Sequence, residues 1–131
     1  MFNRKSDKLE LILGENSKIT GDVESAGTIF IEGIIIGRTH GDKVILGEKS
    51  YVKGDILANN ILVAGKTEGR LKGRKRIEVK STGRVSGEII TRELSIMEGA
   101  IFNGISLMDD ADQGQIEETD KKVIEFVAKE R

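Results

Sequence analysis

Apolar residues recur in pairs, two positions apart, along most of this chain. The pairs are Leu11/Leu13, Ile29/Ile31, Val44/Leu46, Ile61/Val63, Ile77/Val79 and Leu94/Ile96. A spacing of two places both members on one face of a β-strand, so each pair predicts a short strand with one buried face. Consecutive pairs begin 15 to 18 residues apart, which indicates one such strand in every turn of a coil.

A second strand with a glycine at its centre follows each apolar pair. These segments are Ile19-Gly21-Val23, Ile35-Gly37-Thr39, Val52-Gly54-Ile56, Thr67-Gly69-Leu71, Val85-Gly87-Ile89 and Phe102-Gly104-Ser106. Short strands, many β-branched residues and glycines at corners predict a parallel β-helix whose turns stack about 4.8 Å apart. Helical repeats of the same 33-residue period are disfavoured, because a glycine interrupts almost every window of ten residues.

The repeats extend over residues 9–108 and predict the fold class: an all-β, single-domain solenoid of about six turns. At 131 residues the chain has room for one ordinary domain. Short flexible tails are expected at residues 1–8, with three basic residues and one acid, and at residues 109–131, with eight acids and four bases. The second tail is expected to be disordered or to contain a short helix.

Alternation within the glycine strands assigns a direction to each side chain. In VKGDI, at positions 52–56, Val52, Gly54 and Ile56 should face inward, while Lys53 and Asp55 should face solvent. The glycine is expected where a Cβ would crowd the opposite wall or resist a bend. The residues after the glycines alternate in sign along one outer column: Asp22, Arg38, Asp55, Arg70 and Glu88. Opposite charges on neighbouring turns would favour one register, so these carboxylates are interpreted as structural.

An outer hydrophobic stripe is predicted between the paired apolar positions. Its members in the first four turns are Ile12, Phe30, Ile45 and Leu62. Such a stripe either forms a lateral contact with another molecule or lies beneath a tail.

The two ends of the rod are predicted to bind another copy of the chain, because a β-helix exposes unpaired strand edges there and neither end shows a capping repeat. The apolar residues at these ends are Leu9, Leu11 and Leu13 in the first turn, and Ile101, Phe102, Ile105, Leu107 and Met108 in the last. The one candidate cover is the carboxy-terminal segment, in which Ile116, Val123, Ile124 and Val127 would form one face of a short helix. Its charge-rich composition favours a mobile tail.

Candidate chemistry is sparse. Without cysteine the chain has no disulfide and no cysteine zinc site, and His40, its only histidine, has no second histidine as partner. No catalytic residue, metal site or cofactor is expected, and no nucleotide-binding motif is present. The absence of a long apolar run predicts a protein without a membrane span or secretory signal, located in the cytoplasm. Six bases and one acid in Lys66–Arg76 leave nucleic-acid binding as an alternative to a solvated face.

The chain resembles the bactofilins. The resemblance covers about residues 9–108 and rests on the cysteine-free repeats, on VKGDILANNILVAGKTEGRL in mid-chain and on the closing MEGAIFNGISLM. It implies a right-handed β-helix that polymerises end to end, without nucleotide, into nonpolar filaments. These would act as a bacterial cytoskeletal scaffold that positions cell-wall enzymes or other morphogenesis factors and influences cell shape.

The resemblance also implies roles for particular residues and partners. The phenylalanine that is critical for polymerisation in the family matches Phe102, and the family's amino-terminal membrane-binding sequence is similar to Met1, Phe2, Arg4 and Lys5. The implied partners are further copies of the chain, the inner face of the cytoplasmic membrane, and cell-wall enzymes or other scaffold proteins. The implied location is cytoskeletal, peripheral on that membrane.

A second class of protein shares part of the pattern. LGENSK followed by ITGDVE, and LGEKSY followed by VKGDIL, are similar to the hexapeptide repeats of left-handed β-helical acyltransferases. The strands GTIFIEG and NNILVAG break the sixfold spacing, and the chain is short for an acyl-donor site with a supporting domain. An acyltransferase is therefore the alternative and a non-enzymatic scaffold the main hypothesis.

Overall fold

The computed structural model describes residues 8–108 and the backbone of residues 123–127. Over these residues the chain forms fourteen β-strands and no helix. The strands are β1 (Leu9–Leu13), β2 (Lys18–Thr20), β3 (Val23–Glu24), β4 (Thr28–Ile31), β5 (Ile34–Ile36), β6 (Thr39–His40), β7 (Lys43–Leu46), β8 (Tyr51–Lys53), β9 (Ile56–Val63), β10 (Lys66–Val79), β11 (Arg84–Thr91), β12 (Leu94–Ile96), β13 (Ile101–Met108) and β14 (Val123–Val127).

Strands β1 to β13 wind into a parallel solenoid with three faces. The first face stacks β1, β4, β7, the end of β9, the end of β10 and β12; the second starts with β2, β5 and β8; and the third starts with β3 and β6. In the later turns β10, β11 and β13 pass from the second face to the third without interruption. The chain thus completes six turns, which confirms the predicted all-β parallel solenoid.

The core is a set of stacked columns, because parallel pairing places equivalent residues of successive turns directly over one another. On the first face, Ile29, Val44, Ile61 and Ile77 form a continuous buried row. On the second face, the row is Ile19, Ile35, Val52, Thr67, Val85 and Phe102. Full burial of a valine or isoleucine side chain contributes about 1.5 to 3 kcal/mol, so these rows supply the main stabilisation. The predicted inward direction is confirmed for Val52 and Ile56, whereas Gly54 between them is only half-buried.

Glycines occupy the corner between the second and third faces in every turn. The backbone there has φ between 129° and 152°, a region that residues with a side chain rarely adopt. At Gly54, an added Cβ would also press against the carbonyl oxygen of Gly37 in the turn before. The crowding therefore comes from the neighbouring turn. Of the two expected reasons for glycine, the bend is confirmed and the contact with the opposite wall is wrong.

The carboxy-terminal segment differs from the expected mobile tail or short helix. Residues 123–127 form β14, which pairs antiparallel with β13 from Leu107↔Val123 to Asn103↔Val127. A lone helix of that length is marginal in water, whereas the free edge of β13 offers backbone donors and acceptors. Residue Ile116, the rest of residues 109–122, and residues 1–7 and 128–131 lie outside the described part of the chain.

Three glycine-to-alanine variants should separate the two causes of the glycine requirement. Gly14→Ala, where an added Cβ meets open space and φ is ordinary, should change the free energy of unfolding by less than about 0.5 kcal/mol. Gly21→Ala, with φ of 129° but open space, should cost about 1 to 3 kcal/mol. Gly54→Ala should cost about 1 to 3 kcal/mol more, because it adds overpacking. Urea unfolding measures the differences; equal stability of Gly21→Ala and Gly54→Ala would refute the stacking argument.

Candidate assembly surfaces

The first end of the rod is an open sheet edge. Among the described residues, β1, β2 and β3 each have a strand partner on one side only, namely β4, β5 and β6. Leu9 is 50% exposed, Leu11 is half-buried and Leu13 is buried. Of the three leucines assigned to this end, Leu9 and Leu11 therefore present apolar surface beside a strand edge that has no partner within residues 8–108.

The last end is open on one face and occupied on the others. Strand β12 pairs with β10 alone within the described residues, but β13 lies between β11 and β14. Ile105 and Met108 are 38% and 39% exposed, and Ile101 and Leu107 are half-buried. Met97, which is not among the residues predicted for this end, is 40% exposed in the turn after β12. Its place directly after the last apolar pair is the signal that would have identified it.

Phe102 does not belong to the exposed surface of the last end. Its side chain is 2% exposed and lies in the inward row of the second face, next to Val85 of the turn before. The aromatic ring is thus part of the hydrophobic core. A charged substitution at this position would disturb folding and assembly together, so Ile105 is the better residue for testing a contact.

The predicted outer stripe is a continuous ladder on the first face. The register places Ile12, Phe30, Ile45, Leu62, Glu78 and Ser95 in one column. Ile12 is 61% exposed, whereas Phe30, Ile45 and Leu62 are half-buried. The column becomes charged at Glu78, whose carboxylate lies 3.1 Å from Lys80 Nζ and 3.9 Å from Arg76 Nη2. The apolar part of the stripe therefore covers four turns and stops at an ionic boundary.

The outer charge column also has the expected order, with Asp55 and Lys53 exposed and Arg70 opposite Glu88. Arg70 Nε donates to Glu88 Oε1 at 3.1 Å. Exposed ion pairs of this kind contribute about 0 to 1 kcal/mol, so the column selects a register more than it stabilises the fold. In the last turn the column ends at Ile105, opposite Glu88, where an exposed apolar side chain replaces the next charge.

The basic segment Lys66–Arg76 lies within β10, and half of its bases already have partners. Lys66 Nζ lies 4.0 Å from Glu68 and 5.5 Å from the centre of the Tyr51 ring. Arg70 pairs with Glu88, and Arg76 Nη1 lies 3.5 Å from Glu93 Oε1. Partial burial and a hydrogen bond with Glu68 raise the pKa of the Tyr51 hydroxyl above its ordinary value. This compensation of charge favours a solvated face over a nucleic-acid site.

His40 lines a surface hollow of about 380 Å³ together with Glu24, Asp42, Asn59 and Arg74. Its Nδ1 lies 3.8 Å from Glu24 Oε2, and Asn59 Nδ2 donates to Asp42 Oδ1 at 2.6 Å. No group of three or more histidine, cysteine, aspartate or glutamate side chains in the described ranges is placed to hold a metal ion.

Residues 8–108 and 123–127 also contain no helix with the length and hydropathy needed to cross a membrane. The amino-terminal residues Met1, Phe2, Arg4 and Lys5 lie outside the described residues.

Comparison with known proteins shows which family this chain is similar to. Residues 11–106 match the family model for bactofilin, described as polymer-forming cytoskeletal. Bactofilin BacO of Myxococcus xanthus is 30% identical over 115 residues, which cover 82% of this chain and 87% of BacO. Bactofilin BacP of the same organism is 24% identical over 106 residues, covering 80% of this chain and 44% of BacP.

A solved structure has the same fold. The cryo-EM reconstruction of Thermus thermophilus bactofilin double helical filaments matches with a TM-score of 0.69 at 23% identity, over 76% of this chain and all of the other. The fold and the sequence matches together define a polymer-forming protein of the cytoskeleton. The chain belongs to the bactofilin family. At the level of the family this is a structural and not an enzymatic class.

Proposed function

We propose that this protein is a cytoskeletal scaffold that assembles end to end, without nucleotide, into nonpolar filaments. The observation that carries the proposal is the state of the two ends. The first has an unpaired edge with exposed Leu9, and the last has the unpaired edge of β12 with exposed Met97, next to exposed Ile105 and Met108 on β13. Unpaired edges flanked by apolar side chains favour pairing with another chain. The sequence contains no nucleotide-binding motif, so assembly is proposed to proceed without nucleotide hydrolysis.

Two arrangements of the filament would pair the strand edges at both ends of the rod. A head-to-tail contact would continue the parallel ladder from the last turn of one copy to the first turn of the next. A nonpolar filament would join like ends through two-fold contacts, in which each strand runs antiparallel to its equivalent. The bactofilin resemblance supports the nonpolar arrangement, and variants at the two ends distinguish them.

Single arginine substitutions at each end should leave dimers. In a nonpolar filament, Leu9→Arg removes one kind of contact and Ile105→Arg the other, because a charge would be buried without a partner. Each variant would keep the contact at its intact end, and the double variant should be monomeric. The wild type should form filaments at micromolar concentration in electron micrographs without nucleotide, and light scattering after size exclusion should give the masses of the variants.

The control and the contrary results are specific. Glu48→Arg, at an exposed corner between β7 and β8, should assemble as the wild type does. If each single variant is a monomer and mixing the two gives a heterodimer, the filament is polar. If the wild type remains monomeric, or if both end variants form ordinary filaments, end-to-end assembly is refuted.

We also propose that the stripe of Ile12, Phe30, Ile45 and Leu62 is a lateral contact between filaments. Its support is an apolar column that runs over four turns of an outer face. Without a lateral contact, the large side chains of this column would remain in contact with water. The Thermus thermophilus bactofilin was reconstructed as double helical filaments, and a lateral stripe would suit such pairing. End-to-end growth would not depend on it.

Ile45→Lys should therefore convert paired filaments into single ones. A lysine in the centre of the column would bring a hydrated charge into an apolar contact, but the ends of the rod would be unchanged. Negative-stain micrographs give filament width, and sedimentation gives the amount of polymer. Ser86→Lys on the second face is the matched control. Unchanged width in the Ile45→Lys variant would exclude this column as the lateral contact.

Membrane attachment through Met1, Phe2, Arg4 and Lys5 is the third part of the proposal. One aromatic side chain and a few bases give a single chain only transient binding to an anionic surface. A filament would present many copies of the same short sequence, and multivalency would convert weak contacts into stable attachment. The filaments would then lie along the inner face of the membrane, where they would position cell-wall or morphogenesis factors.

Binding to vesicles should depend on both Phe2 and assembly. Phe2→Glu should lower cosedimentation with phosphatidylserine vesicles by about tenfold or more, and so should the Leu9→Arg/Ile105→Arg double variant, which retains the whole amino terminus. Neutral phosphatidylcholine vesicles should bind the wild type weakly. Equal binding of the wild type and Phe2→Glu would refute this attachment.

The scaffold role is tested by comparing cell shape between a wild-type strain and a strain that carries the double variant.

A further inference from the structure

The edge of β13 is already occupied in a single chain. Residues 103–107 pair with residues 123–127 of β14, and this pairing is antiparallel, unlike the pairings between turns of the solenoid. The neighbouring strand at the same end, β12, has β10 as its only partner in the described part of the chain. The last end is thus covered on one part of its edge and open on another.

Burial of the inward side chains follows the same division. On β13, Ser106 within the paired stretch is 1% exposed, and Phe102, one residue before that stretch, is 2% exposed, although the described residues contain no further turn beyond them. On β12, in the same turn, Leu94 and Ile96 are only half-buried. Ile19, which begins the row that Phe102 ends, is also half-buried at the open first end. At the last end, the inward side chains in and beside the paired stretch are therefore closed to solvent, whereas outward Ile105 on the same strand stays exposed.

The orientation of β14 has a consequence for assembly. If two copies met through their last ends by a two-fold axis, β13 of each would run antiparallel to β13 of the other. This is the orientation in which β14 lies on β13 now. A strand has one free side after pairing with β11, so β14 and a second copy cannot both occupy it.

We propose that the free edge of β13 is a strand-accepting site for which β14 and the β13 strand of a second copy compete. The inference rests on the proposed function, since it concerns one of the two ends used in assembly. Fourteen residues connect Met108 to Val123, and a connection of this length gives β14 an effective concentration in the millimolar range. Contact through the last end then requires release of β14, which raises the concentration at which filaments form.

A reversible crosslink tests the competition in the full-length chain. Asn103 and Val127 lie opposite each other, and directly opposed residues have Cα atoms about 4.5 to 5.5 Å apart, within the range of a disulfide. The chain has no other cysteine, so Asn103→Cys/Val127→Cys forms a defined pair and leaves Ile105 in place. Oxidation should form the bond within one chain and raise the critical concentration for sedimentable polymer about tenfold or more, and reductant should restore it.

The opposite change should favour assembly. Ile124→Pro/Glu125→Pro removes backbone donors from the centre of β14, and proline is poorly tolerated in a paired strand. The critical concentration should fall about threefold or more relative to the wild type, because the competing strand is weakened. Gln115→Pro, in the connection between β13 and β14, is the matched control and should assemble as the wild type does.

The outcomes separate this inference from the proposed function. If the chain crosslinked within itself assembles as readily as the reduced chain, or if the proline pair has no effect, β14 does not compete for the site. If the disulfide joins two chains, β14 pairs with a neighbouring copy and the self-covering role is wrong. If neither the wild type nor any variant polymerises, the proposed function fails, whereas crosslinking within one chain would still establish the pairing of β14 with β13.

Discussion

The backbone ladder between successive turns is the interaction on which the other features of this protein depend. It runs along all three faces and through the corners, where Gly37 N donates to Lys53 O and Gly54 N to Glu68 O, each at 2.9 Å. An inner turn has a neighbour on both sides, so the backbone groups on both of its edges are paired. A terminal turn has one neighbour, and the groups on its outer side need water, another chain or a covering segment. Assembly surfaces are thus a direct consequence of the fold.

The ladder also decides which residues the sequence can place at each position. Because turns are about 4.8 Å apart, every side chain lies against its equivalents above and below. Inward positions tolerate rows of isoleucine and valine, and the corner tolerates glycine alone, since a Cβ at Gly54 would meet the backbone of Gly37. Outward positions carry no such restriction. They hold the features that differ between faces, such as the apolar stripe and the alternating charges.

Most of the solenoid could be predicted from the sequence, because its signals are local and repeated. The apolar pairs, the direction of Lys53 and Asp55, and the column that starts at Ile12 all follow from a period of two and a nearly constant turn length. Phe102 is buried, and its role in polymerisation stays a prediction, since spacing gives its inward direction but not how closely the last turn is covered. Strand β14 could not be predicted, because its partner is the edge of β13, a long-range acceptor that periodicity does not reveal.

The two ends of the rod differ in how their terminal strand edges are covered. The first end keeps its edge open, with half-buried Ile19 and Leu11 at the boundary of the core. At the last end, β14 lies on the edge beside fully buried Phe102, and the open remainder is β12. A solenoid has no intrinsic stop, because a further turn or another copy can continue its ladder. Under the competition proposed for β13, the limit on growth at the last end comes from a segment outside the repeats. The antiparallel orientation of β14 gives it that capacity, since it satisfies the edge without offering another turn.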